Sequence, residues 1–235
     1  MKRIISAVFA VVMISAMCGC MPRLPEGYEM VKAAKEKYES LDSGRAIMTD
    51  LTTGEQIMEF AFFVNNSDEM IFSYYGRDGE AEMYAYSDGA EYFYKDAGDE
   101  MWSVITPDDE NYIYNIYNRE NRYPYADGGI FFLDGTSVRS AQVSGSEDEG
   151  MTVIYTYDTD RLNSSTQGML EDVSSFSSLT TTFEIDRDGF ITSFIEAGEV
   201  TGTDGVTRDV NMRISIEDMN DVYDIPYPVD QLDKS

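Results

Sequence analysis

Short strand-like runs separated by tight-turn residues fill most of the chain after residue 44 and constrain its fold more than any other feature. The runs are rich in Val, Ile, Thr, Tyr and Phe, and the breaks carry pairs such as Asp88-Gly89 and Asp188-Gly189. Gly and Asn tolerate the positive φ that tight hairpin turns require. The pattern therefore predicts an antiparallel meander. Its strands are predicted at residues 45–52, 56–65, 70–76, 81–87, 90–95, 100–106, 137–144, 151–157, 178–186, 190–200 and 206–217.

Three helices are predicted beside these strands. Residues 26–41 carry one apolar stripe at three- and four-residue steps on an otherwise charged helix, so this helix should pack on the sheet. A short helix is predicted after Pro107, where acidic residues follow the proline, and a third over residues 160–172. The predicted class is α+β, with about eleven antiparallel strands, an N-terminal helix and two further short helices. We expect one domain over residues 26–235, since no linker interrupts the pattern.

The first twenty residues have the composition of an export signal. Lys2 and Arg3 form a basic start, an apolar run covers residues 4–17, and Cys18-Gly19-Cys20 follows. The apolar run is shorter than a membrane-spanning helix needs, although a single anchoring helix is the alternative. The segment predicts a signal over residues 1–19 that is removed after export.

The cleavage region resembles a bacterial lipobox, in which a small residue precedes a cysteine that becomes lipidated. Cys20 fits better than Cys18, because Gly19 precedes Cys20 whereas the bulky Met17 precedes Cys18. Two or three acyl chains would hold the domain on a membrane, since each buried methylene contributes about 0.8 kcal/mol. We expect Cys20 to carry the lipid, residues 20–25 to form a proline-containing tether, and the domain to lie outside the cytoplasm.

The charge balance excludes several classes of partner. The formal net charge is −27, and it becomes −29 when Lys2 and Arg3 are removed with the signal. Binding nucleic acid or anionic lipid head groups requires a basic surface, so neither is expected as the main partner. Disorder is not expected either, because 43% hydrophobic and 13% aromatic residues are sufficient for a core.

The sequence predicts no catalytic, metal or cofactor site. It contains no histidine, which removes the common catalytic triads and the commonest zinc ligand. Carboxylate pairs are available among 44 acidic residues, but most of these residues lie in turns or alternate outward on strands. Calcium could use Asp186 and Asp188 or the run 147–149, but the ligand spacing of a calcium loop is absent. A hairpin turn and a solvated loop explain these residues better.

An apolar face on two neighbouring predicted strands is the candidate binding site. Met and Phe adapt to irregular apolar shapes, as an acyl chain would require. An ordinary core between sheet and helices is the alternative interpretation of the same face. The candidate lining residues are Met58, Phe60, Phe62 and Val64 of one strand and Met70, Phe72 and Tyr74 of the next.

The closing segment 218–230 contains Asp218, Asn220, Val222, Ile225 and Pro226 in a spacing found near the end of related lipoproteins. Together with the helix-and-meander arrangement behind a lipobox, it resembles the LolA/LolB/LppX-like lipoprotein-carrier superfamily. The resemblance implies a curved half-barrel sheet whose helices cover an apolar concave face that holds acyl chains or lipids.

Two functions follow as expectations. One is a membrane-anchored carrier or sensor of an acyl chain, lipid or lipoprotein. The other is an envelope interaction module that fills the concavity with its own side chains and docks a protein partner.

Overall fold

The computed structural model describes residues 24–64, 70–75, 81–87, 91–105, 131, 133–146, 148–166 and 173–228. The helices are α1 (Tyr28–Glu39) and α2 (Thr159–Thr166). The strands are β1 (Ser43–Asp50), β2 (Gln56–Val64), β3 (Met70–Tyr75), β4 (Ala81–Ser87), β5 (Tyr92–Asp96), β6 (Ser103–Ile105), β7 (Val138–Ser146), β8 (Gly150–Tyr157), β9 (Val173–Ile185), β10 (Ile191–Gly202) and β11 (Thr207–Glu217).

All of these strands form one antiparallel sheet. Its spatial order is β6-β5-β4-β3-β2-β1-β11-β10-β9-β8-β7. The sheet therefore consists of two meanders, β1 to β6 and β7 to β11, which meet where β1 pairs with β11. In the described ranges the sheet ends at β6 and β7 and is not a closed barrel. The predicted α+β class with an antiparallel sheet is confirmed.

Helix α1 packs on β9 and β10 and defines what we call the inner face of the sheet. Its apolar stripe buries Val31, Ala34 and Tyr38, as the three- and four-residue spacing predicts. The chain enters α1 through Gly27 at φ 74°, where an added Cβ would lie 3.0 Å from Val143 Cγ2. Only glycine combines this left-handed conformation with so close an approach to β7.

Helix α2 packs on β9 through the buried Leu162. The third predicted helix is therefore present at residues 159–166, and its predicted remainder, 167–172, lies outside the described residues. The second predicted helix, after Pro107, also lies outside them. Neither α1 nor α2 has the length and apolar character of a membrane-spanning helix.

Aromatic side chains link α1 to the inner face of the second meander. Tyr38 and Phe131 meet edge to face at 5.0 Å between ring centroids, and Phe131 meets Phe194 at 5.7 Å. Phe183 then lies 4.9 Å from Phe194 and 6.0 Å from Tyr155. Such offset and edge-on pairs add about 0.5–1.5 kcal/mol each beyond area burial. This part of the inner face is thus filled by the chain itself.

The C-terminal segment covers the opposite, outer face of the first meander. Val222 and Ile225 are buried there in a second apolar cluster, separate from the inner core. The alternation of β2 explains why both faces are apolar: Ala61 joins the outer cluster, whereas Phe60 and Phe62 join the inner one. The strand residues of the outer cluster are Ala61, Ile71, Tyr86 and Phe93.

Candidate ligand-binding face

The four candidate residues of β2 lie together on the inner face. Met58, Phe60, Phe62 and Val64 occupy alternate positions and are all buried, with Phe62 completely inaccessible. Alternate residues of a strand point to one side, so a single register places all four. These are the four β2 residues that the sequence analysis proposes as lining residues.

The register of β3 sets the other three candidate positions opposite residues of β2. Met70 pairs with Val64, Phe72 with Phe62, and Tyr74 with Phe60. Directly opposed residues of antiparallel strands lie on the same side of the sheet. The backbone register therefore sets the seven candidate positions opposite one another on the β2–β3 hairpin.

Strands β4 and β5 extend this apolar face beyond the residues singled out from the sequence. Ala85 and Tyr92 are buried in the inner cluster, and Met83 and Tyr94 are half-buried against it. The alternating sequences of β4 (AEMYAYS) and β5 (YFYKD) indicate a buried face. Tyrosine occurs on both faces of these strands, however, so the sequence alone does not show which face is buried. Tyr84 belongs to the outer face instead, where it packs against the outer cluster.

The contact between Tyr38 and Phe62 marks where α1 meets this face. The two rings are edge to face at 6.0 Å. On β1, Gly44 makes room for Phe62, since an added Cβ would lie 3.2 Å from Phe62 Cε1. Because α1 packs mainly on β9 and β10, the inner-face residues of β4 and β5 lie on strands away from the helix.

A polar group lies on the inner face of the second meander. Glu196 of β10 pairs with Thr181 of β9 and Met212 of β11, two residues from the buried Phe194. Burial raises the pKa of Glu196 to about 7. Burial also raises the pKa of Tyr157, whose hydroxyl lies 3.3 Å from Thr181 Oγ1. The Glu196 and Asp134 carboxylates raise that pKa further.

A cleft of about 290 Å³ lies beside the start of α1, with Leu24, Tyr28 and Leu133 among its lining residues. The carboxylate in this cleft, Asp134, accepts hydrogen bonds from its own loop and from α2. Asp134 Oδ1 accepts one from the Thr136 amide at 3.0 Å, and Asp134 Oδ2 accepts one from Ser165 Oγ at 2.7 Å. Burial alone would raise the pKa of Asp134, but these hydrogen bonds and that of Ser137 outweigh it and lower the pKa. Asp134 therefore organises the loop before β7.

The residues weighed as a calcium site form a turn. Asp186 Oδ1 accepts a hydrogen bond from the Phe190 amide at 2.9 Å, and Gly189 has φ 80°. This is the hairpin connection between β9 and β10 that the sequence predicts. In the described part of the chain no three potential metal ligands of the His, Cys, Asp and Glu types come together. Residue 147 and the candidate lipidation site Cys20 lie outside that part.

Comparison with known proteins gives structural neighbours only. No family model matches the sequence, and no curated protein matches it. The structure is similar to the crystal structure of LprF from Mycobacterium bovis, with a TM-score of 0.47 and 11% identity over 88% of this chain and 99% of that one. It is also similar to the lipoprotein LppX from Mycobacterium tuberculosis, with a TM-score of 0.44 and 8% identity over 85% of this chain and 97% of that one. LppX is also one of the proteins named in the resemblance stated from the sequence.

Proposed function

We propose that this protein is an extracytoplasmic lipoprotein, anchored to the cell membrane through Cys20, that binds an acyl chain, lipid or lipoprotein as a carrier or sensor. The signal over residues 1–19 is removed, residues 20–25 form the tether, and residues 26–235 form one half-barrel domain. The ligand lies on the concave inner face of the sheet. The lining residues in this proposal are Met58, Phe60, Phe62, Val64, Met70, Phe72 and Tyr74.

One observation carries the proposal: the apolar inner face continues from β2 across β5, away from the strands on which α1 packs. Aromatic and methionine side chains dominate it. Such side chains adapt to a flexible hydrocarbon without needing directional bonds. Binding by shape and apolar area, with no catalytic step, fits this composition.

The proposal is tested with the domain expressed without its signal. Native mass spectrometry with lipid extraction should detect a copurified lipid, and a fluorescent acyl probe should bind with micromolar or better affinity. Phe62→Glu should abolish probe binding, because an unpaired carboxylate opposes an apolar ligand. The matched control is Ile57→Glu, which adds the same charge to the same strand at a residue that is 39% exposed.

A second inner-face variant guards against a folding defect. Phe62 is fully buried, so Phe62→Glu can unfold the domain, whereas Met83 is only half-buried on the same face. Met83→Glu should weaken probe binding at least tenfold while circular dichroism stays native. A parent domain that binds no probe and carries no lipid would overturn the carrier function.

The alternative, a non-ligand-binding envelope module that acts through a protein partner, is favoured by a different observation. Tyr38 packs on Phe62, and the rings of Phe131, Phe194 and Phe183 continue that packing across the second meander. The chain thus fills part of its own inner face. Absence of any lipid, together with a stable apo domain, would favour this function.

A further inference from the structure

Glu196 is an acidic residue on the inner face of the sheet, and neither of its two cross-strand neighbours carries a charge. It lies near the middle of β10 on the inner face, with Met212 on one neighbouring strand and Thr181 on the other. Phe194, two residues before it, is buried in the core. Acidic residues on the outer positions of β10, such as Glu199, are exposed.

Glu196 has no compensating partner within the described residues. Burial alone accounts for its shifted pKa, with no neighbouring cation or hydrogen-bond donor offsetting it. Lys35 of α1 donates its hydrogen bond to the Phe131 carbonyl at 2.7 Å. Glu196 is half-buried, and even partial withdrawal of an unpaired carboxylate from water is costly; groups perturbed in this way cluster at functional sites.

The other titratable groups on the elements packed there do not neutralise Glu196. Tyr157 of β8 cannot supply a positive charge, and the negative charge of Glu196 raises the pKa of its phenol. Asp134, in the loop before β7, is a second negative charge that is already satisfied by Ser and Thr hydrogen bonds. From α1, the phenol side chains of Tyr28 and Tyr38 bring no positive charge. Among the residues that the structure describes, Glu196 is therefore an acceptor without a donor.

We infer that Glu196 is the polar anchor of the ligand site and binds the positively charged head group of a long-chain amphiphile, such as a long-chain amine, whose hydrocarbon crosses β11 and β1 to reach the apolar inner face of β2. This inference rests on the proposed function and specifies its ligand. A carboxylate in an apolar surrounding pairs strongly with a cation, since the low local dielectric strengthens the attraction. The formal net charge of −27 favours the same ligand class and disfavours fatty acids and anionic phospholipids.

The test compares three probes of equal chain length on the signal-free domain: dodecylamine, dodecanol and dodecanoic acid. Ionisation of Glu196 rises from a few per cent to nearly complete between pH 5.5 and pH 8.5 for a pKa of about 7. An alkylammonium stays charged in this range, as lysine does with a pKa of about 10.4. Affinity for dodecylamine should therefore rise about thirtyfold over this interval, whereas affinity for dodecanol should not rise.

Two variants distinguish specific binding of the amine by Glu196 from the general attraction of a cation to an acidic protein. Glu196→Gln should lower dodecylamine affinity at pH 8.5 at least tenfold and remove its pH dependence, with dodecanol binding retained. Glu199→Gln removes the same charge from an exposed position of β10 and should change neither. The measurements are made at 0.5 M salt, which screens attraction between exposed charges.

The outcomes distinguish this inference from the function on which it rests. If none of the three probes binds, the carrier function fails. If dodecanol or dodecanoic acid binds but dodecylamine shows no advantage at pH 8.5, or if Glu196→Gln binds dodecylamine as the parent does, the anchor role of Glu196 is wrong and the apolar site stands.

Discussion

Asn220 shows how one residue fastens the C-terminal segment to the sheet. It adopts φ 60°, a left-handed conformation in which asparagine is several-fold enriched among non-glycine residues. Its side-chain oxygen accepts from the Asp42 amide at 2.8 Å, and its own amide donates to the Ser43 carbonyl at 2.8 Å. Val222 follows, with its amide on Ser43 Oγ at 3.0 Å. The spacing of Asn220, Val222 and Ile225 in the closing segment thus has a structural reason.

Substitution of Asn220 separates its conformation from its side-chain bonds. Asn220→Gly keeps the left-handed backbone and should cost about 1–2 kcal/mol for the lost hydrogen bonds. Asn220→Ala adds the strain of a Cβ and should cost about 2–4 kcal/mol. Urea denaturation gives both values. Equal stabilities for the Gly and Ala variants would show that the conformation contributes nothing.

Cys20 carries a prediction of its own, made from Gly19 and the residues before it. Cys20→Ala should abolish incorporation of a clickable fatty acid, whereas Cys18→Ala should leave it unchanged, because only Cys20 follows a small residue. The readout is in-gel fluorescence after metabolic labelling. Label that survives in the Cys20 variant would contradict the assignment.

At the scale of elements, β11 is the strand on which the two meanders depend. It pairs with β1 on one side and β10 on the other, so Ile214 lies opposite both Met48 and Phe194. Its side chain is 6% exposed within the inner core. A loss of packing at this point weakens both halves of the sheet together.

The corresponding prediction compares two residues of β11. Ile214→Ala should destabilise the domain by about 2–5 kcal/mol, the usual cost of truncating a buried Ile. Asp209→Ala, at an exposed position of the same strand, should change stability by less than about 0.5 kcal/mol. Chemical denaturation of both variants decides it. Coincident midpoints would show that the side-chain alternation of β11 has been assigned to the wrong face.

Alternation made the strands predictable, and its absence explains the errors. The β2 pattern QIMEFAFFV fixes both its location and its buried face, and the structure agrees. Strand β9 begins at Val173, five residues before the predicted start, because its Ser-rich opening shows no apolar alternation and is held by pairing with β10. Strand β6 begins at Ser103 instead of the predicted residue 100. Where a strand begins or ends depends on the neighbouring strand with which it pairs, and the local sequence does not identify that neighbour.

Glu196 was missed for a related reason. In the sequence it is one of 44 acidic residues. Its chemical distinction comes from the register that places it beside Thr181 and Met212 on the buried side of β10. A carboxylate on an alternating strand looks solvated until the whole sheet shows which side is covered. The buried apolar face of β2 could therefore be predicted from the sequence, whereas the placement of Glu196 beside Thr181 and Met212 could not.

At the scale of the whole molecule, the acidic composition makes stability depend on pH in a way that Glu196 should dominate near neutrality. Its folded pKa of about 7 lies above the ordinary value of 4.5, so the folded state binds more protons than the unfolded state between these values. The free energy of unfolding should then fall as pH rises through this window. Asp134 has the opposite sign: its pKa is lowered, so its contribution is lost only as pH falls below about 4.

We predict the difference in free energy of unfolding between variants and not its absolute value, because repulsion among the other carboxylates also changes with pH. A shift of one pKa unit corresponds to about 1.4 kcal/mol, so the Glu196 contribution should lower the free energy of unfolding by about 2–3 kcal/mol between pH 5 and pH 8. Glu196→Gln should lack this decrease and should be more stable than the parent at pH 8. Glu199→Gln, which removes an exposed charge from the same strand, should follow the parent curve. Urea unfolding at pH 5, 6.5 and 8 measures all three. A constant gap between the parent and Glu196→Gln across this range would mean that Glu196 titrates normally and is not withdrawn from water.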